Sequence, residues 1–268
     1  MVKKRILYVS QEITPYLPEN DLSKTSRFLP QAMNESGIDV RLFMPRFGCI
    51  NERRHQLHEV IRLSGMNLIV NDIDQPLIIK VASIPQARMQ VYFIDNEEYF
   101  KRKFTTEDKK GTFYSDNDER ALFFCRGVIE SVKKLGWSPD VIHCNGWMAS
   151  FLPMYLKKFY HDDPIFEKTK IVVSLYNQSF EGTLSDGLTD KLKFDGYSEE
   201  DVAGFEKVDY KKLAETAINY SDAVIKGSTE LDEDLLKLIE DSKLPTLEYA
   251  DGEYKEQYKP FYETLFEE

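Results

Sequence analysis

The first 36 residues contain no glycine, and the earliest one in the chain is Gly37. A phosphate cradle needs glycines so that backbone N–H groups can approach the anion closely, in a G-x-G-x-x-G turn or in a P-loop alike. An ordinary dinucleotide dehydrogenase and a P-loop ATPase are thereby excluded. Cysteine is scarce as well: Cys49, Cys125 and Cys144 are odd in number and scattered, without C-x-x-C spacing. That argues against a disulfide framework or zinc ribbon and for a reducing compartment. Long apolar runs are missing too. Nothing approaches the roughly 18 consecutive residues of a membrane span, and Ile6 to Val9 is too short for the apolar core of a secretory leader. Positive charge is in deficit, 35 Lys and Arg against 46 Asp and Glu, for a formal net charge of −11. Nucleic acid and membrane surfaces, which need a cationic face, are poor partners for such a chain. A cytoplasmic protein is expected, and a neutral partner such as a sugar polymer stays open.

What is present reads as a folded α/β protein. With 268 residues, 42% of them apolar and 30% charged, the chain can bury a core and is not disordered. Arg5 to Ser10 reads as a buried strand, a helix follows from about Ser23 to Ser36 with Gly37 as its stop, and Val40 to Met44 forms the next strand. Strand, helix, strand with short connections is the βαβ unit of a parallel sheet. Short β-like runs between about Leu57 and Asp95 have no helices between them, which predicts an antiparallel excursion whose last run rejoins the main sheet. Apolar residues at three- and four-residue steps predict a helix over 116–135, capped by Ser115 with Asp118. Strand and helix then alternate again: a strand at 140–144, a helix at 147–159, a strand at 171–175, a helix at 210–218 and a strand at 223–225. The stretch from Ser179 to Asp209, with four glycines, reads as a long surface excursion. The expected fold is therefore α/β with a doubly wound, mostly parallel sheet over residues 1–245. Residues 246–268 form a tail with seven acidic residues and six aromatics. Tyr254, Tyr258, Phe261 and Leu265 sit there at helical spacing, and Pro260 is expected to interrupt that helix.

A doubly wound sheet binds ligands beyond the carboxyl ends of its strands, so those loops carry the candidate site. In His143-Cys-Asn-Gly-Trp147, the groups of His143, Asn145 and Trp147 could hydrogen-bond and stack on a sugar; equally, Trp147 could be core with His143 satisfied beside it. In Tyr176-Asn-Gln-Ser-Phe-Glu-Gly182, Asn177 and Gln178 offer hydrogen bonds to hydroxyls and Gly182 permits a tight turn, which could also be purely structural. An anion site at the start of the Ser23 helix, near Lys24 and Arg27, competes with a solvated helix face. His55 and His58 lack convergent partners, so no metal is expected; no G-x-S-x-G occurs, the three cysteines lie in apolar runs, and no catalytic residue or cofactor is assigned.

Taken jointly, these motifs resemble the N-terminal catalytic half of bacterial glycogen and plant starch synthases. That family opens with a strand, Glu-x-x-Pro, a Lys-x-Gly-Gly-Leu loop and a Leu-Pro; here Glu12, Pro15, Leu22, Leu29 and Pro30 hold the frame. Gly37-Ile-Asp-Val40 through Met44-Pro-Arg46 continues it. The family's Asp-Asn-x-x-Arg-Phe helix reads Asp116-Asn-Asp-Glu-Arg-Ala121. Its Pro-Asp-x-x-His-x-x-Asp-Trp turn reads Pro139 to Trp147, and its His-Asn-x-x-Tyr-Gln-Gly loop reads Tyr176 to Gly182. The resemblance implies a Rossmann-like domain, one half of a two-domain glucosyltransferase (GT-B) architecture, and an α-glucan ligand contacted by His143, Asn145, Trp147, Asn177 and Gly182.

The departures imply lost chemistry. The family's donor-loop lysine falls on Pro18, its two glycines on Asn20 and Asp21, the Asp of Asp-Trp on Gly146, and the His of His-Asn on Tyr176. Trading a cation for proline and placing a carboxylate where a pyrophosphate should lie opposes donor binding. The family's second domain, which grips the nucleotide, would begin near Ser228, about forty residues before Glu268. The expectation is a non-catalytic glucan-binding or regulatory relative. The alternative is a transferase subunit that works with ADP- or UDP-glucose only beside a partner chain, or a homo-oligomer. The tail is expected to pack back on the domain.

Overall fold

The computed structural model describes residues 3–177 and 179–266. Ten strands among them build one sheet system: β1 (Arg5–Ser10), β2 (Asp39–Pro45), β3 (His58–Glu59), β4 (Met66–Val70), β5 (Ile73–Ile84), β6 (Met89–Asp95), β7 (Val141–Asn145), β8 (Lys170–Leu175), β9 (Ala223–Lys226) and β10 (Thr246–Leu247). Their spatial order is β10-β9-β8-β7-β1-β2-β6-β5-β3, with β4 paired to β5. From β10 to β6 every neighbour runs parallel; β5 returns antiparallel to β6 and carries β3 and β4 on its other edge. The antiparallel excursion and its rejoining at β6 are as the periodicity predicts, and the sheet is the doubly wound, Rossmann-like one.

Helices cover it: α1 (Asp21–Glu35), α2 (Glu52–His55), α3 (Glu97–Phe100), α4 (Asn117–Leu135), α5 (Leu152–Phe159), α6 (Leu188–Phe194), α7 (Tyr210–Asn219), α8 (Glu233–Ser242) and α9 (Lys259–Phe266). Because both faces are covered, β1 reads as an unbroken apolar run, and none of Ile6, Leu7, Tyr8 and Val9 exceeds 1% exposure. The chain leaves β1 for β2 on one side and later returns to β7 on the other. This reversal makes the carboxyl ends of β1 and β7 the topological switch point, where sheets of this kind form a crevice.

Several local expectations shift. α1 starts at Asp21 because Asn20, not a later residue, caps it. The 116–135 helix forms, but Ser115 does not cap it. Asp116 occupies the cap position with its carboxylate drawn away to Arg102 at 2.6 and 2.5 Å. The helix read over 147–159 divides into a 3-10 turn at Trp147–Ala149 and α5, whose first turn holds Pro153, a residue suited to starting a helix. The 179–209 excursion contains α6, and α8 follows with Leu235 and Ile239 buried. In the tail, a π-type turn over Tyr254–Tyr258 leads into α9, and Pro260 sits in the first turn of α9, so the interruption falls at the junction between them. Tyr258, Tyr262 and Leu265 are buried against the sheet side of the domain.

Candidate functional site

The crevice at the switch point is filled by the protein's own side chains. Gln11, directly after β1, receives a hydrogen bond from the Met148 N–H at 3.2 Å, and its own N–H donates to the Asn145 carbonyl at 2.9 Å. Gly146 adopts φ +87°, a left-handed conformation that favours glycine. A Cβ there would lie 2.7 Å from the Gln11 Cβ and 2.8 Å from the Leu22 Cδ1. Gln11 and Leu22 thus occupy the space beside the turn.

The amino end of α1 is closed in the same way. The Asn20 side chain accepts from the Ser23 N–H at 2.8 Å, the Ser23 hydroxyl accepts from the Asn20 N–H at 2.9 Å, and the Asn20 amide donates to Glu12 Oε2 at 2.6 Å. This reciprocal capping consumes first-turn donors that an anion would need. Glu12 and Asp21 bring two carboxylates to the same end. Arg27 is buried rather than solvated and donates to Gln31 Oε1 at 2.5 Å, while burial pulls its guanidinium below the ordinary value.

His143, Asn145 and Tyr176 form a buried polar chain beneath these loops. His143 is fully buried, and its two ring nitrogens are engaged by the Tyr262 hydroxyl at 2.7 Å and the Ser174 hydroxyl at 2.6 Å. Burial pushes its pKa down to about 3, so the ring is neutral, with one nitrogen donating and the other accepting. The Tyr176 hydroxyl donates to Asn145 Oδ1 at 2.9 Å, and burial holds that phenol well above its usual range. The Tyr176 ring rests on Gly227, where a Cβ would come within 2.4 Å of it. Among the residues read as sugar contacts, His143, Asn145 and Trp147 are therefore interior. Asn177 is exposed, but its amide donates to the Glu230 carbonyl at 2.5 Å and its oxygen accepts from the Asp232 N–H at 3.0 Å, so it staples two loops. Gln178 lies outside the described residues.

Beside this closed ground lies an open one. Phe113 and Phe180, both half-buried, stack with centroids 4.9 Å apart and ring planes 17° apart. Trp147 underpins them, edge-on to Phe180 at 5.1 Å, and Tyr210 extends the row at 6.1 Å from Phe180. One cleft of about 530 Å³ borders Phe180, Tyr210, Asp209 and Asp232. Another of about 310 Å³ borders Phe113, Tyr114, Asn117 and Asp118. Gly182 is exposed and lines both. A row of aromatic faces flanked by carboxylates is suited to a neutral, hydroxyl-rich ligand, with apolar ring faces on the aromatics and hydroxyls donating to the acids. Sequence reasoning reached Trp147 and Gly182 but missed Phe113 and Tyr210, which no motif marks.

Other candidate chemistry is not assembled. His55 packs edge-on against Tyr16 at 5.0 Å, and His58 lies on β3. Among the described residues no group of three or more His, Cys, Asp and Glu could hold a metal ion. Cys125 and Cys144 are buried thiols, and Cys49, despite its apolar sequence neighbours, is exposed.

Comparison with known proteins agrees with the geometry of the fold. The model of the starch synthase catalytic domain matches residues 5–244. A glycogen synthase of Chlorobium luteolum is 38% identical over 189 residues, covering 70% of this chain and 39% of that protein. One of Chlorobaculum parvum is 35% identical over 229 residues, covering 84% and 46%. Among solved structures, the catalytic domain of starch synthase IV from Arabidopsis thaliana, bound to ADP and acarbose, superposes with a TM-score of 0.67 at 18% identity over 83% of this chain and 44% of that one. The chain spans under half the length of these relatives. It belongs to the starch synthase catalytic domain family.

Proposed function

We propose that this member of the family binds α-glucan along the Phe113–Phe180–Tyr210 row and does not itself transfer glucose from a nucleotide sugar. The observation that carries the reading is the closed switch point. Where a donor's pyrophosphate would need backbone donors and a cation, Asn20 and Ser23 cap each other, Glu12 and Asp21 add negative charge, and Pro18 offers no N–H. Each feature opposes a polyanion, while none affects a neutral glucan on the neighbouring aromatic row. The starch synthase IV domain bound to ADP and acarbose supports a carbohydrate ligand for a domain of this fold. In this reading the protein works in the cytoplasm, consistent with its buried free thiols and with no described helix long and apolar enough to cross a membrane.

The matched region is less than half of each glycogen synthase relative, which favours one second reading. Here the domain is the acceptor side of a transferase whose donor side is supplied by further chain, a partner or another copy. The two separate when glucose incorporation into glycogen from ADP-glucose, and separately UDP-glucose, is measured for the purified chain and again for the complex that co-purifies with it from cell extract, with glycogen affinity electrophoresis alongside. Retarded migration without incorporation is expected. Incorporation above background would overturn the non-catalytic reading, and unretarded migration would overturn glucan binding.

A further inference from the structure

One stripe of α1 faces away from the core. Lys24, Phe28, Ala32 and Glu35 follow one another along it at four- and three-residue steps, while Leu22, Leu29 and Met33 are buried on the other side. The tail turn over Tyr254–Tyr258 packs along this helix. Between the stripe and Asp251, Gly252 and Tyr254 lies a cleft of about 380 Å³. Its walls are open to a ligand: Phe28 is 43% exposed, Glu35 and Asp251 are exposed, and Lys24 and Tyr254 are half-buried. The ring and one carboxylate are braced from the side. The Arg27 guanidinium lies 5.1 Å from the Phe28 ring centroid and donates to Gln31 Oε1, and the Gln31 amide donates in turn to Glu35 Oε1 at 2.7 Å.

We infer that this cleft is a second glucan site and that the chain bridges glucan strands. The inference rests on the glucan-binding reading and extends it from holding one strand to joining two. The lining selects the ligand class. An anion would meet Glu35 and Asp251, a cation would meet Lys24, and an apolar peptide would strip water from all three without replacing it. A neutral polyhydroxyl chain both donates and accepts, and it can lay an apolar ring face on Phe28. Topology then sets this cleft apart from the Phe113–Phe180–Tyr210 row. The β1-α1-β2 connection crosses the sheet in one direction, and the β6-α4-β7 and β8-α7-β9 connections cross in the other. Right-handed crossovers therefore lay α1 on one face and α4 and α7 on the opposite one. The row borders the amino ends of α4 and α7, so the two sites look out from opposite sides of the domain. A short oligosaccharide on one cannot reach the other, whereas a branched polymer can engage both, and two polymer particles can share one chain.

The test adds the purified whole chain to glycogen and follows particle clustering by dynamic light scattering, with maltoheptaose titrated by calorimetry in parallel. The wild type is expected to cluster the particles and to take up two maltoheptaose molecules per chain. Phe28→Ala, on the exposed stripe and at wild-type melting temperature, should abolish clustering, weaken glycogen binding about tenfold or more and leave one maltoheptaose per chain. Phe180→Ala should abolish clustering from the other face. Undiminished clustering by Phe28→Ala, or a wild type that takes up one maltoheptaose, would overturn the bridging site and leave glucan binding on the row intact. A wild type that binds neither glycogen nor maltoheptaose would overturn both.

Discussion

Around the switch point, Gln11, Leu22, Asn20 and Tyr176 fill the ground where the family resemblance places its donor contacts; a few residues away, Phe113, Phe180 and Tyr210 leave their faces partly open between two clefts. The two regions share the strand ends and differ in how their substitutions fit one another. On the closed side the replacements are mutually adjusted: glycine at 146 admits Gln11 and Leu22, and glycine at 227 admits the Tyr176 ring. On the open side Asn117, Arg120, Trp147 and Gly182 keep the residue types of the motifs they match. A site that is packed shut by complementary changes is a different object from one that has merely lost a side chain. Restoring a single family residue should therefore fail.

Gly146→Asp tests that most severely. It forces a side chain into both a positive-φ position and the space of Gln11 and Leu22, and should cost about 4 kcal/mol or prevent folding. Urea unfolding reads it, and a near-neutral result would break the contrast between the regions.

Acid comes next. His143 has a folded pKa of about 3, below its unfolded value near 6.5, so the unfolded chain binds the extra proton first. Stability is full above pH 6.5 and falls as the pH drops toward 3, by on the order of 3 kcal/mol at pH 4. Urea midpoints between pH 7.5 and 4 should show this slope, and His143→Gln should flatten it.

Gly227→Ala should cost about 2 kcal/mol through contact with the Tyr176 ring, most of it recovered in a Tyr176→Ala background. An additive double-mutant cycle would show that the two positions are not coupled. On the open side, Phe180→Ala should weaken glycogen binding about tenfold by removing the stacked face while leaving transfer activity at background. The smallest effect is expected of Asn177→Ala. Its two loop bonds are exposed, so stability should fall by about 0.5–1 kcal/mol and glucan affinity should not change.

How far the sequence could be read depended on the kind of force involved. Buried strands such as Ile6 to Val9 and the amphipathic 116–135 helix were legible because burial imposes a periodicity on apolar residues. The departures of the first loop were legible in its residue types, since Pro18, Asn20 and Asp21 stand where the family resemblance places a lysine and two glycines. Ser115 as a cap was not, because Arg102, fourteen residues upstream of Asp116, decides where that carboxylate turns. Nor could spacing reveal that His143 would meet Tyr262 from 119 residues away, turning an apparent ligand contact into an interior anchor.

Composition, periodicity and local motif chemistry, acting within a few residues, determined the α/β class, the succession of strands and helices along the chain and the residue types in which the first loop departs from the family motif. Tertiary structure alone decided which polar groups face inward and which aromatics remain open. It also decided that the tail returns to α1 and leaves a cleft beside Phe28. Those outcomes depend on side chains brought together from distant segments, and on whether each buried donor or acceptor finds its complement there.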